Sequence, residues 1–124
     1  MKLEYLDRAS PNHKPTLVLH GDGPVVVRAL SVALANLTEN GIDLSTLPGV
    51  EPVDQCRVVV QASKSESGIR RIERSAFAWR LPPDALDHVL GFLEPFMGAS
   101  PDEGFQWLEE SGEIDFIISR GRYC

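Results

Sequence analysis

The sequence predicts an α+β fold, in which a mainly antiparallel sheet of five to six strands carries two helices packed on one face. Apolar runs with a period of two predict the strands, and two apolar stripes at helical spacing predict the helices. Polar turns between neighbouring strands favour hairpins, which make a sheet antiparallel. The expected order is β-β-α-β-β-α-β-β, and 124 residues suit a single compact domain spanning residues 1–124.

The N-terminal part predicts two strands. The first covers Lys2 to Arg8, and the second covers residues 16–20, which read Thr-Leu-Val-Leu-His. The Gly-Asp-Gly-Pro sequence at residues 21–24 follows the second strand directly. Because glycine, aspartate and proline favour turns, the chain is expected to reverse there.

A first helix is expected to begin at Pro24, since proline fits the first turn of a helix. Its apolar stripe continues to Leu37, so the helix is expected to reach about Asn40 and to end at Gly41. The opposite side of this helix is apolar as well. That pattern predicts burial on most sides or contact with a second copy of the chain as a homodimer.

The middle of the chain predicts a loop followed by a hairpin. Residues 41–55 contain two glycines and two prolines and are interpreted as a loop. Residues 57–63 form a β-branched strand, a polar turn follows at residues 64–68, and residues 69–81 are expected to return beside it. The alternation around Phe77 and Trp79 predicts that the aromatic side of the returning strand faces the core.

The last third predicts a second helix and a final hairpin. Two prolines, at 82 and 83, open the helix, and Pro95 is expected to end or kink it near Glu94 because proline cannot donate the helical hydrogen bond. Residues 104–108 and 113–119 are then expected to pair as strands.

Composition narrows the class of protein. A net charge of −6 and a pI near 5.0 argue against a protein devoted to binding nucleic-acid phosphates. Two cysteines, Cys56 and Cys124, provide no disulfide framework and favour a reducing compartment, so a cytoplasmic location is expected. The sequence shows neither a signal peptide nor an apolar run of about 20 residues, so we expect no membrane span.

The charge is distributed unevenly. Residues 56–80 hold six basic and two acidic side chains, and Arg70, Arg71 and Arg74 are the candidate binding residues there. They predict contact with an anion, an RNA or an acidic protein. The alternative is an edge strand whose long charged side chains prevent aggregation. Nucleic acid is disfavoured because no aromatic side chains alternate with these arginines in the sequence.

Residues 81–124 have the opposite bias, with nine acidic side chains and two arginines. Such a segment predicts a surface that docks on a basic partner, and the alternative is a solvated face. The candidate binding residues of this acidic cluster are Asp102, Glu103, Glu109, Glu110 and Glu113.

Catalytic signals are weak. His20 and Asp22 follow a strand and are the only catalytic candidates, since a histidine beside a carboxylate can perform acid–base chemistry. The alternative is that the glycines of this segment form a turn and Asp22 caps the helix. The three histidines and two cysteines lack metal-ligand spacing, so neither a metal nor another cofactor is expected.

The sequence therefore favours a small acidic, non-catalytic protein-binding module, of which an inhibitor or immunity protein is an example. Two alternatives stay open. One is a small enzyme or ligand-binding protein that uses the turn from His20 to Asp22 beside a basic rim at residues 70–74. The other is a weak nucleic-acid binder that uses the hairpin at residues 56–80.

Overall fold

The computed structural model describes residues 1–7, 14–21, 23–98, 104–110 and 112–120. The nine strands and two helices within these ranges confirm the α+β class. The expectation of a single sheet is wrong, because the strands form two sheets. Each sheet mixes parallel and antiparallel pairs, and four of the seven described pairs are antiparallel. Five residues named above lie outside the described part of the chain: Arg8, Asp22, Asp102, Glu103 and Cys124.

The first sheet has five strands, numbered in chain order. In space they follow the order β4 (Glu51–Pro52), β1 (Lys2–Leu6), β2 (Thr16–His20), β9 (Asp115–Arg120) and β8 (Gly104–Glu109). Two antiparallel hairpins, β1–β2 and β8–β9, meet at a central parallel pair of β2 and β9. The sequence predicts both hairpins. It does not predict the parallel β2–β9 pair, because that pair joins segments almost 100 residues apart and no local pattern specifies it.

The second sheet has four strands. In space they follow the order β3 (Ile42–Asp43), β5 (Arg57–Ala62), β7 (Ala76–Leu81) and β6 (Gly68–Glu73). The expected return of residues 69–81 beside β5 is wrong. A turn at Arg74 and Ser75 splits that segment, so β6 and β7 form the hairpin and β7 runs parallel to β5. The segment expected to be a loop supplies the short strands β3 and β4.

The helices agree more closely with the sequence. Helix α1 spans Pro24–Ala35 and begins where expected, but it ends about five residues early. The Asn36 side chain donates a 2.8 Å hydrogen bond to the Val32 carbonyl and closes the last turn. Helix α2 spans Pro83–Leu93 and is followed by a 3-10 turn at Glu94–Phe96, as Pro95 predicts. No helix in the described ranges is long and apolar enough to cross a membrane.

One apolar core joins both sheets to both helices. The Trp79 ring lies 5.0 Å from the Phe116 ring, and the Tyr5 ring lies 4.9 Å from the Phe77 ring, so the sheets contact each other directly. Both helices contribute to the same cluster of buried side chains. The two sheets therefore pack on each other, and the helices complete the core. Their core residues are Val27, Leu30, Leu34, Val89 and Leu93.

Candidate functional site

The basic hairpin predicted from the sequence lies at the edge of the four-stranded sheet. Among the described strands, β6 pairs only with β7. Arg70 is opposite Ala78 and Arg71 is opposite Phe77, so these two arginines face different sides of the sheet. The register shifts around Ile72, which is 59% exposed. A shift of this kind is a bulge, and bulges and edge charges both discourage pairing between identical edges.

The arginines of this sheet differ in how far their charge is neutralised. Arg57 forms a 3.0 Å ion pair with Asp43, and Arg80 forms an ion pair with Glu66. Neither Arg70 nor Arg74 forms an ion pair with any residue in the described ranges. Both are exposed, so their positive charges are available to a ligand.

Arg71 is held in place by aromatic rings and by the backbone. Its guanidinium carbon lies 4.9 Å from the centre of the Tyr5 ring and 5.6 Å from that of Phe77. The same guanidinium donates to the carbonyls of Glu73 and Arg74. Cation–π contact and hydrogen bonding together fix this side chain and the β6–β7 turn.

A groove of about 990 Å³ follows the edge of β6. We call it the basic edge groove. The β6 segment from Gly68 to Ile72 lines it, the turn between β8 and β9 contributes residues 112–114, and Gln61, Ala78 and Arg80 line it from β5 and β7. Its charged lining residues are three arginines and two glutamates: Arg70, Arg71, Arg80, Glu66 and Glu113. Gly112 lies close to β6, since a Cβ atom built on it would be 3.8 Å from the Ile69 amide nitrogen. An extended chain along β6 would therefore contact both sheets.

A second concavity, of about 660 Å³, adjoins this groove at Arg71. We call it the arginine cleft. It lies where the end of β1 meets the β6–β7 turn and the 3-10 turn at Val53–Gln55. Its lining residues are Tyr5, Asp7, Val53, Asp54, Gln55, Cys56, Arg71, Arg74 and Ser75.

Two adjacent cleft residues have unfavourable backbone conformations. Asp54 has φ 53° and Gln55 has φ 61°, in the left-handed region that side chains with a Cβ rarely adopt. Each such residue costs about 1 kcal/mol or more. Strained backbone of this kind is enriched at binding sites, where the surrounding fold maintains it.

Burial controls the titration of two groups in the cleft. It raises the pKa of Tyr5; nearby Arg71 opposes that rise, whereas the charge of Asp7 and a hydrogen bond to Asp7 add to it. Burial, followed by the carboxylates of Glu4 and Asp43, raises the pKa of the Cys56 thiol to about 11. Both side chains are therefore neutral at physiological pH, and Cys56 is not an activated nucleophile.

The structure does not assemble the described acidic residues into one surface. Glu109 is only 9% exposed, and its carboxylate accepts a 3.1 Å hydrogen bond from the Trp79 indole. Asp115 is 1% exposed and forms a 2.9 Å ion pair with Lys14. Among the described candidates of the acidic cluster, only Glu110 and Glu113 are exposed.

His20 lies away from the basic hairpin. It pairs with Lys2 at the start of β1, and its Nε2 atom is 3.0 Å from a Glu4 carboxylate oxygen. Arg71 instead contacts Tyr5, whose side chain is on the opposite face of the sheet from that of His20. The predicted convergence of His20 with a basic rim is therefore not found.

A third, smaller concavity of about 190 Å³ lies between α2 and the edge strand β8. His88 and Phe92 line it from the helix, and Trp107 lines it from the strand. His20 lines none of the three concavities. In the described ranges, no group of three or more histidine, cysteine, aspartate or glutamate side chains is placed to hold a metal ion.

The comparisons with known proteins identify no relative. No protein-family model, curated protein sequence or solved structure matches this chain.

Sequence reasoning located the arginines but not the cleft. Tyr5 was visible only as an aromatic residue on an expected strand, and its stacking on Arg71 depends on contact between the two sheets. Aspartate tolerates a left-handed backbone, but nothing in the sequence marks Asp54 for one, and Gln55 carries neither a glycine nor a turn signal. Their role in the cleft could not be inferred from their residue types.

Proposed function

We propose that this chain is a non-catalytic protein-binding module that takes an extended, acidic segment of a partner protein onto strand β6. The observation that supports it most is the combination of an open sheet edge with the exposed Arg70, which forms no ion pair in the described ranges. Inhibition of the partner, as by an inhibitor or immunity protein, is one form that this binding would take.

The proposed mode is strand addition. The partner segment lies in the basic edge groove and adds a fifth strand to the four-stranded sheet. Main-chain hydrogen bonds to β6 provide affinity, while side-chain contacts on alternate positions provide specificity. Arg70 pairs with a carboxylate of the segment, and exposed Ile72 provides an apolar contact.

The positive charge of β6 favours one kind of chain over another as its pairing partner. A second copy of the chain would bring its own basic β6 strand to this edge, and the like charges would oppose pairing. An acidic segment has the complementary charge, which favours both encounter and register.

A protein segment fits the edge better than a nucleic acid does. Single-stranded nucleic acids are held by aromatic side chains on which bases stack. The exposed apolar residue on β6 is Ile72, while the aromatic rings near Arg71 are Phe77, which is buried, and Tyr5, which is partly buried.

The proposal is tested with a defined peptide. A fluorescent, acetylated and amidated octapeptide of alternating glutamate and valine is titrated with the protein, and anisotropy is measured. We expect saturable binding that weakens when the salt rises from roughly 50 mM to roughly 500 mM, because screening shortens the range of the charges. Replacing Arg70 with Gln should weaken binding about two- to fivefold, the value of one exposed ion pair.

The controls separate local contact from net charge. Arg28→Gln removes the same charge from an exposed position on α1 and should leave peptide binding unchanged. A peptide with lysine in place of glutamate should not bind. The proposal is wrong if the glutamate peptide does not bind at low salt. It is equally wrong if a single-stranded oligonucleotide of the same length binds more tightly through Arg70.

Self-association through α1 stays a prediction. Val25 and Val32 are 74% and 64% exposed, whereas Leu30 on the other side of the helix is buried. Light scattering at high protein concentration measures whether these valines join two copies.

A further inference from the structure

We infer that the arginine cleft is a second binding site, for a small zwitterion that carries both a carboxylate and an ammonium group, such as a short peptide or an amino acid. This site is distinct from the strand addition proposed for β6. The two concavities share Arg71, but Asp54, Gln55 and Arg74 line only the arginine cleft.

The cleft combines opposite charges that do not neutralise each other. Arg71 and Arg74 line it together with Asp7 and Asp54, and none of the four forms an ion pair within the part of the chain described. Two of them are engaged elsewhere: Asp7 hydrogen-bonds Tyr5, and Arg71 donates to backbone carbonyls. Arg74 and Asp54 are therefore the groups left to bind a ligand.

The lining charges favour a zwitterion over a simple ion. A lone anion would be attracted by the two arginines and repelled by the two aspartates, and a lone cation would experience the reverse. A molecule with both charges can place its carboxylate on Arg74 and its ammonium on Asp54. These side chains come from different turns, the β6–β7 turn and the 3-10 turn at Val53–Gln55.

The walls of the cleft are held in position before any ligand binds. The Arg71 guanidinium connects the Tyr5 ring to the β6–β7 turn, which carries Arg74. On the other wall, Asp54 and Gln55 hold consecutive left-handed backbone conformations. Such fixed walls reduce the entropy lost on binding. The volume of about 660 Å³ lies within the range of small-molecule sites.

The experiment uses dialanine as the probe, followed by backbone amide shifts in the ¹⁵N-labelled protein. We expect a dissociation constant of roughly 1–10 mM, with shifts around the 3-10 turn and the β6–β7 turn, because the ligand is small and the site is open. N-acetyl-dialanine lacks the ammonium group and dialanine amide lacks the carboxylate. Each should bind about two- to fivefold more weakly, the value of one exposed charged contact.

Two conservative variants connect the binding to the cleft. Asp54→Asn removes the charge and introduces asparagine, which also tolerates the left-handed backbone. Arg74→Gln removes the guanidinium. Each should weaken dialanine binding about two- to fivefold. Arg70→Gln, which lies outside the arginine cleft, should leave dialanine binding unchanged while it weakens the acidic octapeptide. Measuring both dialanine and octapeptide binding therefore shows whether a negative result contradicts the cleft inference or the β6 proposal.

The inference is overturned if dialanine causes no shifts at roughly 50 mM, well above the expected dissociation constant. It is also overturned if the blocked forms bind as well as dialanine, or if the shifts fall away from the two turns. In each case the lining charges would serve only to solvate the surface.

Discussion

The thiol of Cys56 lines the arginine cleft, but the residue is only 2% exposed to solvent. Burial and two nearby carboxylates raise its pKa to about 11, so about one molecule in a thousand carries the thiolate at pH 8. In a Cys124→Ser variant, we expect a thiol reagent such as Ellman's reagent to leave the folded protein unmodified and to react within minutes in denaturant. Rapid reaction of the folded variant would contradict the described burial of Cys56.

Glu109 and Glu110 are adjacent acidic residues with different roles. Glu109 accepts the hydrogen bond of the buried Trp79 indole, whereas the Glu110 side chain is exposed. Glu109→Ala should lower the free energy of unfolding by about 1–3 kcal/mol, because the indole N–H loses its acceptor. Glu110→Ala should change it by less than about 0.5 kcal/mol. Urea unfolding curves measure both values, and equal effects would show that Glu109 does not support the core.

At the scale of single elements, helix α1 offers a matched test of its packing direction. Leu30 is 1% exposed and belongs to the core, whereas Val32 is 64% exposed two positions later. Leu30→Ala should cost about 2–5 kcal/mol of unfolding free energy, because it leaves a cavity. Val32→Ala should cost less than about 0.5 kcal/mol. Thermal or urea unfolding checks the pair, and a large loss for Val32→Ala would mean that a second copy covers this face.

The elements that the sequence predicted well are those with local signals. Pro83 and Pro95 mark the limits of α2, and an apolar stripe lies between them. The end of α1 was missed, because the apolar pattern continues to Leu37 after the Asn36 amide has closed the last turn. Strand pairing was predicted only for hairpins. The parallel pairs β2–β9 and β5–β7 depend on contacts between distant segments, which no local pattern specifies.

At the scale of the whole molecule, the sequence predicted which segment is basic, and the fold determined which concavities its arginines line. The run at Arg70, Arg71 and Arg74 was predicted as one basic feature, but the structure divides it. Arg70 lies on the basic edge groove, Arg74 lies on the arginine cleft, and Arg71 joins the two. The predicted acidic surface has fewer free carboxylates than expected in the described ranges. Glu109 accepts a hydrogen bond from Trp79, and Asp115 forms an ion pair with Lys14.

The central claim is that β6 binds an acidic segment through local contacts rather than through the overall charge of the protein. The most direct test compares the dissociation constant of the glutamate–valine octapeptide for Arg70→Gln with that for Arg28→Gln, at one salt concentration. Both variants remove one positive charge, so a long-range effect would be equal in the two. We predict about two- to fivefold weaker binding for Arg70→Gln and no change for Arg28→Gln. Equal dissociation constants for the two variants would contradict the proposed function.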